Sequence, residues 1–396
     1  MPLARQPSVL ALFAAVLAAA GPCGGPALAE SFDAHLQAVA RDARQRGLPQ
    51  TAIQSALSGL RPDPSIAKLT RRQPEIVKPI GGYIERRANG ALFKTGQRAI
   101  AKRKRLLADL ERRTGVDAHV VAAIWGLETG FGANIGSSDV FRSLATLSHM
   151  KYRGTFFRDE LIDAIDVMHR ERVPRRRMIG SWAGAMGQTQ FIPSSFLEFA
   201  VDGDGDGRRD PWRSVSDALG STANYLKAKG WTSGQPWGMA VTLPKGLDRA
   251  ADTMPWWTWA QFGVRSTHAR PFPRSGSATL FFPAGEEGPA FLITQNYEVI
   301  RDYNSSDAYA LSAALLAERL RGGRRLKLAW PTDRTLNKAE RVEVQRRLAA
   351  RGFKVPNRTG RILRDVRFAI RDFQRSIGVM PDGYPDLTLL RQLRKR

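Results

Sequence analysis

The chain has 396 residues, a formal net charge of +24 and one cysteine. Cys23 falls within an N-terminal leader, so disulfide frameworks and thiol catalysis are excluded for the remainder. A charge this positive needs a polyanionic neighbour, yet no zinc-finger spacing, RNP-like strand or helix-turn-helix pattern points to nucleic acid.

Residues 1–29 read as an export leader: Arg5 supplies the positive start, residues 9–20 are apolar, and Ala27-Leu28-Ala29 fits a cleavage site before Glu30. Pro22 before Cys23 is a poor lipid-attachment signal, and no apolar run is long enough to span a bilayer. The expected product is a soluble periplasmic protein beside an anionic envelope polymer or lipid head groups. From residue 32 to about 230 the apolar spacing predicts helices over 32–56, 95–114, 118–128, 157–170 and 212–229, with a short one after Pro193. Residues 240–243, 278–282 and 290–294 read as strands of a small β-containing section spanning about 238–295. Helix returns over 306–320. A basic linker over 322–337 then leads to a module at 338–396, with helices over 339–349 and 363–376. Residues 331–396 hold 17 Lys/Arg against 7 Asp/Glu, a net of +10. So small a module without cysteine suits one binding task. The fold class expected is mainly α with a small β-containing section.

Glu128 ends an otherwise apolar helix in Ile124-Trp125-Gly126-Leu127-Glu128-Thr129-Gly130-Phe131-Gly132. Asp117 is its expected N-cap, and Gly130 and Gly132 stop it. A carboxyl beside Trp125 and Phe131 is placed to be a general acid, although a solvated helix-end glutamate reads the same way in isolation. Farther along, Ser181-Trp182-Ala183-Gly184-Ala185-Met186-Gly187-Gln188-Thr189-Gln190 combines small residues with amides suited to a neutral sugar. A third segment gathers Tyr303, Asn304 and Tyr309 between a strand and a helix, where ordinary packing is the alternative. Trp256, Trp257 and Trp259 suit a sugar platform or a small core equally.

These three segments together resemble the membrane-bound lytic transglycosylase B family over about residues 32–320. The resemblance implies a lysozyme-like catalytic core acting on peptidoglycan glycan strands, with Glu128 as sole catalytic acid. It implies substrate-binding roles for Ser181, Gln190, Tyr303, Asn304 and Tyr309, and for Tyr83 in Gly82-Tyr83-Ile84-Glu85. Residues 338–396 resemble the family's C-terminal peptidoglycan-binding domain, with Val344-Gln345-Arg346-Arg347-Leu348 and Ala369-Ile370-Arg371-Asp372-Phe373-Gln374. The usual Asp-Gly-x-Phe-Gly turn is replaced there by Asn357-Arg358-Thr359-Gly360-Arg361.

Ordinary glycosidases use two carboxylates, and here one strong candidate stands without an obvious partner. The family chemistry needs one acid and no metal: the sugar's acetamido group and C6 hydroxyl supply the rest, giving a 1,6-anhydro product. A lysozyme-like hydrolase and a catalytically silent wall-binding protein are the alternatives. Separately, Asp202-Gly203-Asp204-Gly205-Asp206-Gly207-Arg208-Arg209-Asp210 follows an EF-hand loop, with Asp202, Asp204, Asp206 and Asp210 at positions 1, 3, 5 and 9. Arg213 stands at position 12 in place of the bidentate acid, so a structural calcium and a polar turn paired with Arg208, Arg209 and Arg213 are both open. The five histidines have no metal-ligand spacing.

Overall fold

The computed structural model describes residues 30–70, 79–247, 253–267, 270–326, 328–331 and 334–395; the expected leader lies outside them. Two compact units divide the chain, one being Ser31–Asp333 and the other containing Arg334–Arg396.

In the first unit, α1 (Phe32–Gln45) and α2 (Gln50–Leu57) divide what apolar spacing reads as one helix. Gly47 takes φ +81° and Pro49 precedes the second start, so the chain turns although the apolar pattern continues. A short α3 (Ile66–Leu69) precedes α4 (Ile80–Arg87). The expected helix over 95–114 is likewise two, α5 (Gly90–Lys102) and α6 (Lys104–Thr114). Arg103 leaves helical geometry between them, and its guanidinium lies 5.1 Å from the Trp125 ring centroid.

The centre of this unit is α7 (Ala118–Thr129), apolar on nearly every side and buried on nearly every side. Asp117 Oδ1 accepts the His119 N–H at 2.8 Å, and Gly130 closes the helix at φ +60°. Its core is shared by α8 (Val140–His149), α9 (Phe156–Arg170), α10 (Pro193–Phe199) and α11 (Val215–Ala228). A two-stranded ribbon joins β1 (Ser138–Asp139) to β2 (Ile179–Gly180).

The β-containing section is one antiparallel sheet in the order β4-β6-β7-β3-β5. Its strands are β3 (Gly238–Thr242), β4 (Thr253–Pro255), β5 (Arg265–Ser266), β6 (Ser277–Phe281) and β7 (Ala290–Ile293). Trp256 and Trp259 on α12 (Trp256–Gln261) are fully buried beneath it, while Trp257 is 58% exposed, so two of the three tryptophans are core. The chain returns through α13 (Gln295–Asp302) and α14 (Asp307–Leu320), and α14 packs along α7 and α4. Within the segment read as linker, Leu326, Leu328 and Trp330 pack onto this unit's core. Trp330 lies so close to Gly81 that a Cβ there would meet its Cγ at 2.3 Å.

The second unit holds α15 (Lys338–Ala350), α16 (Arg364–Ser376) and α17 (Leu387–Lys395) around Val344, Leu348, Ile370, Phe373, Leu390 and Leu393. Asn337 and Glu340 form a capping box at the start of α15. The atypical turn is tied down: Gln345 Oε1 accepts the Gly360 N–H and its Nε2 donates to the Arg361 carbonyl, each at 2.7 Å. Gln374 does the same to the second turn, accepting from Gly383 N at 2.8 Å and donating to Asp382 at 2.6 Å.

Candidate active site

Glu128 is half-buried in the last turn of α7. The turn beyond it is held by close packing. Phe131 adopts φ +65° and sets its ring edge-on to Trp125 at 5.3 Å, in a slot that exists because residue 126 is glycine. A Cβ on Gly126 would lie 2.5 Å from Phe131 Cζ, and one on Gly132 would lie 2.5 Å from Gln188 Oε1. That Gln188 oxygen accepts the Trp125 indole N–H at 2.9 Å. Thr129 Oγ1 adds bonds to the Trp125 and Gln188 carbonyls at 3.2 and 3.3 Å. The acid's helix end and the Gly-Ala-Met-Gly segment are therefore one rigid construction.

That second segment is a tight hairpin with bridges Gly180 to Met186 and Met186 to Phe191. Ser181 Oγ accepts N–H groups of Ala185 at 3.0 Å and Ala183 at 3.3 Å, which fixes the hydroxyl in place and leaves its hydrogen to donate. Gln190 sits at φ +51°, its Nε2 donating to the carbonyls of Gly187 at 3.0 Å and Ile135 at 3.1 Å. The second bond reaches the chain just beyond the Glu128 turn. The Gln190 amide oxygen accepts no hydrogen bond among the described residues.

The third segment closes the circuit. Tyr309, on the first turn of α14 and 1% exposed, donates its hydroxyl to Glu128 Oε1 at 2.6 Å. Tyr303 donates to the Thr189 carbonyl at 2.8 Å and lies parallel to Tyr309, with centroids 6.4 Å apart and planes 4° apart. Burial first, and then the Glu128 charge, pushes both phenols well above their ordinary range, so both remain donors at physiological pH. Asn304, next to Tyr303, is exposed. Tyr83 is buried on α4, the helix that packs against the Tyr309 helix. Sequence reasoning missed Arg87, which donates to the Leu127 carbonyl at 2.6 Å and whose charge acts on the Tyr309 hydroxyl. Its signal is position: one helical turn beyond Tyr83 on the same helix.

The aspartate loop is rearranged relative to its EF-hand reading. Asp202, Asp204 and Asp217 bring carboxylate oxygens within 4.8 Å of one another. Asp210 is instead engaged by Arg177 at 2.6 Å, and Asp206 caps the Arg208 N–H at 2.9 Å. Arg209 pairs with Glu171. Asp217 stands on the first turn of α11, 1% exposed, accepting N–H groups of Gly203 and Asp210 at 2.9 and 2.6 Å. Burial, aided by Asp204, raises its carboxyl above the usual range against those hydrogen bonds. An all-carboxylate donor set with crowded negative charge fits a hard, oxygen-seeking cation such as calcium.

A family described as transglycosylase SLT domain matches residues 31–318, and one described as putative peptidoglycan binding domain matches 337–393. SltB3 from Pseudomonas aeruginosa, solved in complex with NAG-anhNAM-pentapeptide, is 42% identical with a TM-score of 0.82, over 92% of this chain and 100% of that one. Lytic transglycosylase SLT35 from Escherichia coli, solved in complex with calcium, is 26% identical with a TM-score of 0.62, over 72% of this chain and 92% of that one. Membrane-bound lytic murein transglycosylase B of Escherichia coli (strain K12) is 40% identical over 139 residues, 34% of this chain. The chain spans 38% of the length of that curated relative. The domain match runs through all three motif segments and most of the sequence, and on that ground the chain belongs to the transglycosylase SLT-domain family.

Proposed function

We propose that the protein is a lytic transglycosylase that cleaves the β-1,4 bond between N-acetylmuramic acid and N-acetylglucosamine in peptidoglycan, leaving a 1,6-anhydro end. The observation that carries this reading is the bond from Tyr309 to Glu128, which fixes one carboxyl oxygen of an acid on the rigid wall shared by all three motif segments. Glu128 gives its proton to the glycosidic oxygen as the C1–O bond breaks, and the substrate's acetamido group stabilises the positive charge at C1. The resulting carboxylate then takes the proton of the C6 hydroxyl as the O6–C1 bond forms, so the acid is regenerated and no water is consumed. Intramolecular attack has effective molarities of ~10⁵ M or more in favourable systems, enough to outrun water. Ser181, Gln190 and Asn304 orient sugar hydroxyls and amides, and Tyr303 and Tyr83 line the cleft.

SltB3 was solved with muropeptide ligands and SLT35 with calcium. By analogy, this chain's substrate is peptidoglycan and its residues Asp202, Asp204 and Asp217 hold calcium as a brace for the loop between α10 and α11. The C-terminal module attaches the enzyme to the wall. The leader sends the chain to the periplasm, and no helix among the described residues is long and apolar enough to cross a membrane. The test is Glu128→Gln, nearly isosteric but unable to donate or accept the catalytic proton. Its circular dichroism should match wild type while clearing of a murein-containing gel disappears; clearing by a folded Glu128→Gln protein overturns the assignment.

A further inference from the structure

A pocket of about 710 Å³ opens at the other end of α7 from Glu128, where Asp117 caps the helix and the C-terminal half of α14, β3, residues 324–326, Leu328 and Trp330 meet. The 11 residues from Asp117 to Glu128 put about 16 Å of helix between the two places. The volume is that of a small-ligand site. Three indoles, Trp231, Trp237 and Trp330, contribute to its lining. The Trp237 N–H is buried and has no acceptor among the described residues. That is an unusual state for an indole in a native core.

The charges on the wall are of both signs and only partly paired. Asp117 is matched by Arg321, and Glu318 by Arg270 at 2.5 Å. Arg324 and Arg325 line the pocket, are exposed and make no hydrogen bond or ion pair among the described residues. Arg319 is next to them, its charge opposed by burial and by Arg325, so this wall carries an excess of guanidinium charge. Glu85 and Glu111 occupy the same wall, and their carboxylates likewise accept no hydrogen bond among the described residues. None of these side chains takes part in the Glu128 constellation.

We propose that this pocket is a second binding site, for a short peptide bearing both free carboxylates and an ammonium group, with Arg324 and Arg325 holding the carboxylates and Glu85 and Glu111 the ammonium. The indoles take the peptide's apolar faces. Resting on the peptidoglycan reading above, the peptide in question is the stem attached to the glycan, gripped by the enzyme at a place remote from bond cleavage.

Isothermal titration of the full chain with a synthetic, sugar-free stem tetrapeptide with free carboxylates and one free side-chain amine tests this directly. Wild type and Glu128→Gln should bind it alike, whereas Arg324→Ala/Arg325→Ala should bind at least tenfold more weakly, as should wild type given the carboxylate-amidated peptide. Cleavage of peptide-free glycan by the double variant should remain at the wild-type rate. Absence of binding by wild type, or equal binding by the double variant, overturns the proposal. Peptide binding that follows the arginines while murein is left uncut would remove the proposed activity and leave the pocket standing; normal cleavage without peptide binding removes the pocket alone.

Discussion

Glu160 is a buried carboxylic acid that ties two helices of the first unit together. It lies on α9 with 3% exposure, and its two oxygens accept the N–H and hydroxyl of Ser194 at 3.0 and 2.7 Å. It thereby anchors the start of α10, directly after the hairpin that holds Gln190. Burial, reinforced by Asp163 and Asp159 and opposed by the Ser194 bonds, pushes its carboxyl from 4.5 up to about 7. At 1.36 kcal/mol per pH unit, that difference makes roughly 3 kcal/mol of stability pH-dependent. Because the folded state holds the proton more tightly, this contribution is fully present below about pH 4.5 and is lost as pH rises through about 7. Glu160→Gln keeps a neutral side chain of the same shape, so the variant should gain on wild type as pH rises, by up to ~3 kcal/mol above pH 7. All nine tryptophans lie between residues 125 and 330, so urea unfolding followed by tryptophan fluorescence reports on the unit containing Glu160. Parallel pH dependences for the two proteins between pH 4.5 and 8 would refute the reasoning. Asp163, also raised by burial to about 6, is present in both and does not create a difference by itself.

Tyr309→Phe removes one hydroxyl and the hydrogen bond to Glu128; a bond to a charged group is worth ~1.5–3 kcal/mol, so turnover of soluble glycan should fall about 10- to 150-fold with the fold intact. Wild-type turnover would show that the bond plays no part in catalysis. Gly126→Ala drives a methyl group into Phe131, and overpacking of this kind costs ~1–3 kcal/mol, so the thermal midpoint should drop and activity with it. Adding calcium to chelator-treated protein should raise the thermal midpoint, by ~2.7 kcal/mol of stabilisation at a hundredfold excess over Kd. Asp217→Asn should abolish that increment and Asp210→Asn should not, since Asp210 is occupied by Arg177.

The acid, its glycine turn and the tyrosine segment are legible in the sequence because each is a local pattern: an apolar helix that ends in a carboxylate, and aromatics beside an N-cap. What brings them together is not local. Gln188 meets Trp125 across 63 residues and Tyr309 meets Glu128 across 181, distances that no periodicity encodes. The sequence reading leaves Val140–His149 unassigned because Ser143, Thr146 and Ser148 interrupt its apolar stripe. In the fold Thr146 accepts the Asp63 N–H at 2.9 Å and Ser148 bonds His35 at 2.9 Å, so polar positions of that helix are buried with partners. In the acidic loop, too, a neighbour comes from outside the local pattern. Its spacing directs attention to Asp206, Asp210 and the missing acid at position 12, whereas Asp217 enters from the following helix because a turn of α11 folds back over Gly203.

In the proposed reaction one carboxylate, held by Tyr309, performs both proton transfers while the substrate closes on itself. Mass spectrometry of murein digested by the purified full chain tests it most directly. The expected products are muropeptides that end in 1,6-anhydro-N-acetylmuramic acid, each lighter by one water than a hydrolytic product. Reducing N-acetylmuramic acid ends as the main product would contradict it, making Glu128 the acid of a lysozyme-like hydrolase in which water outcompetes the C6 hydroxyl.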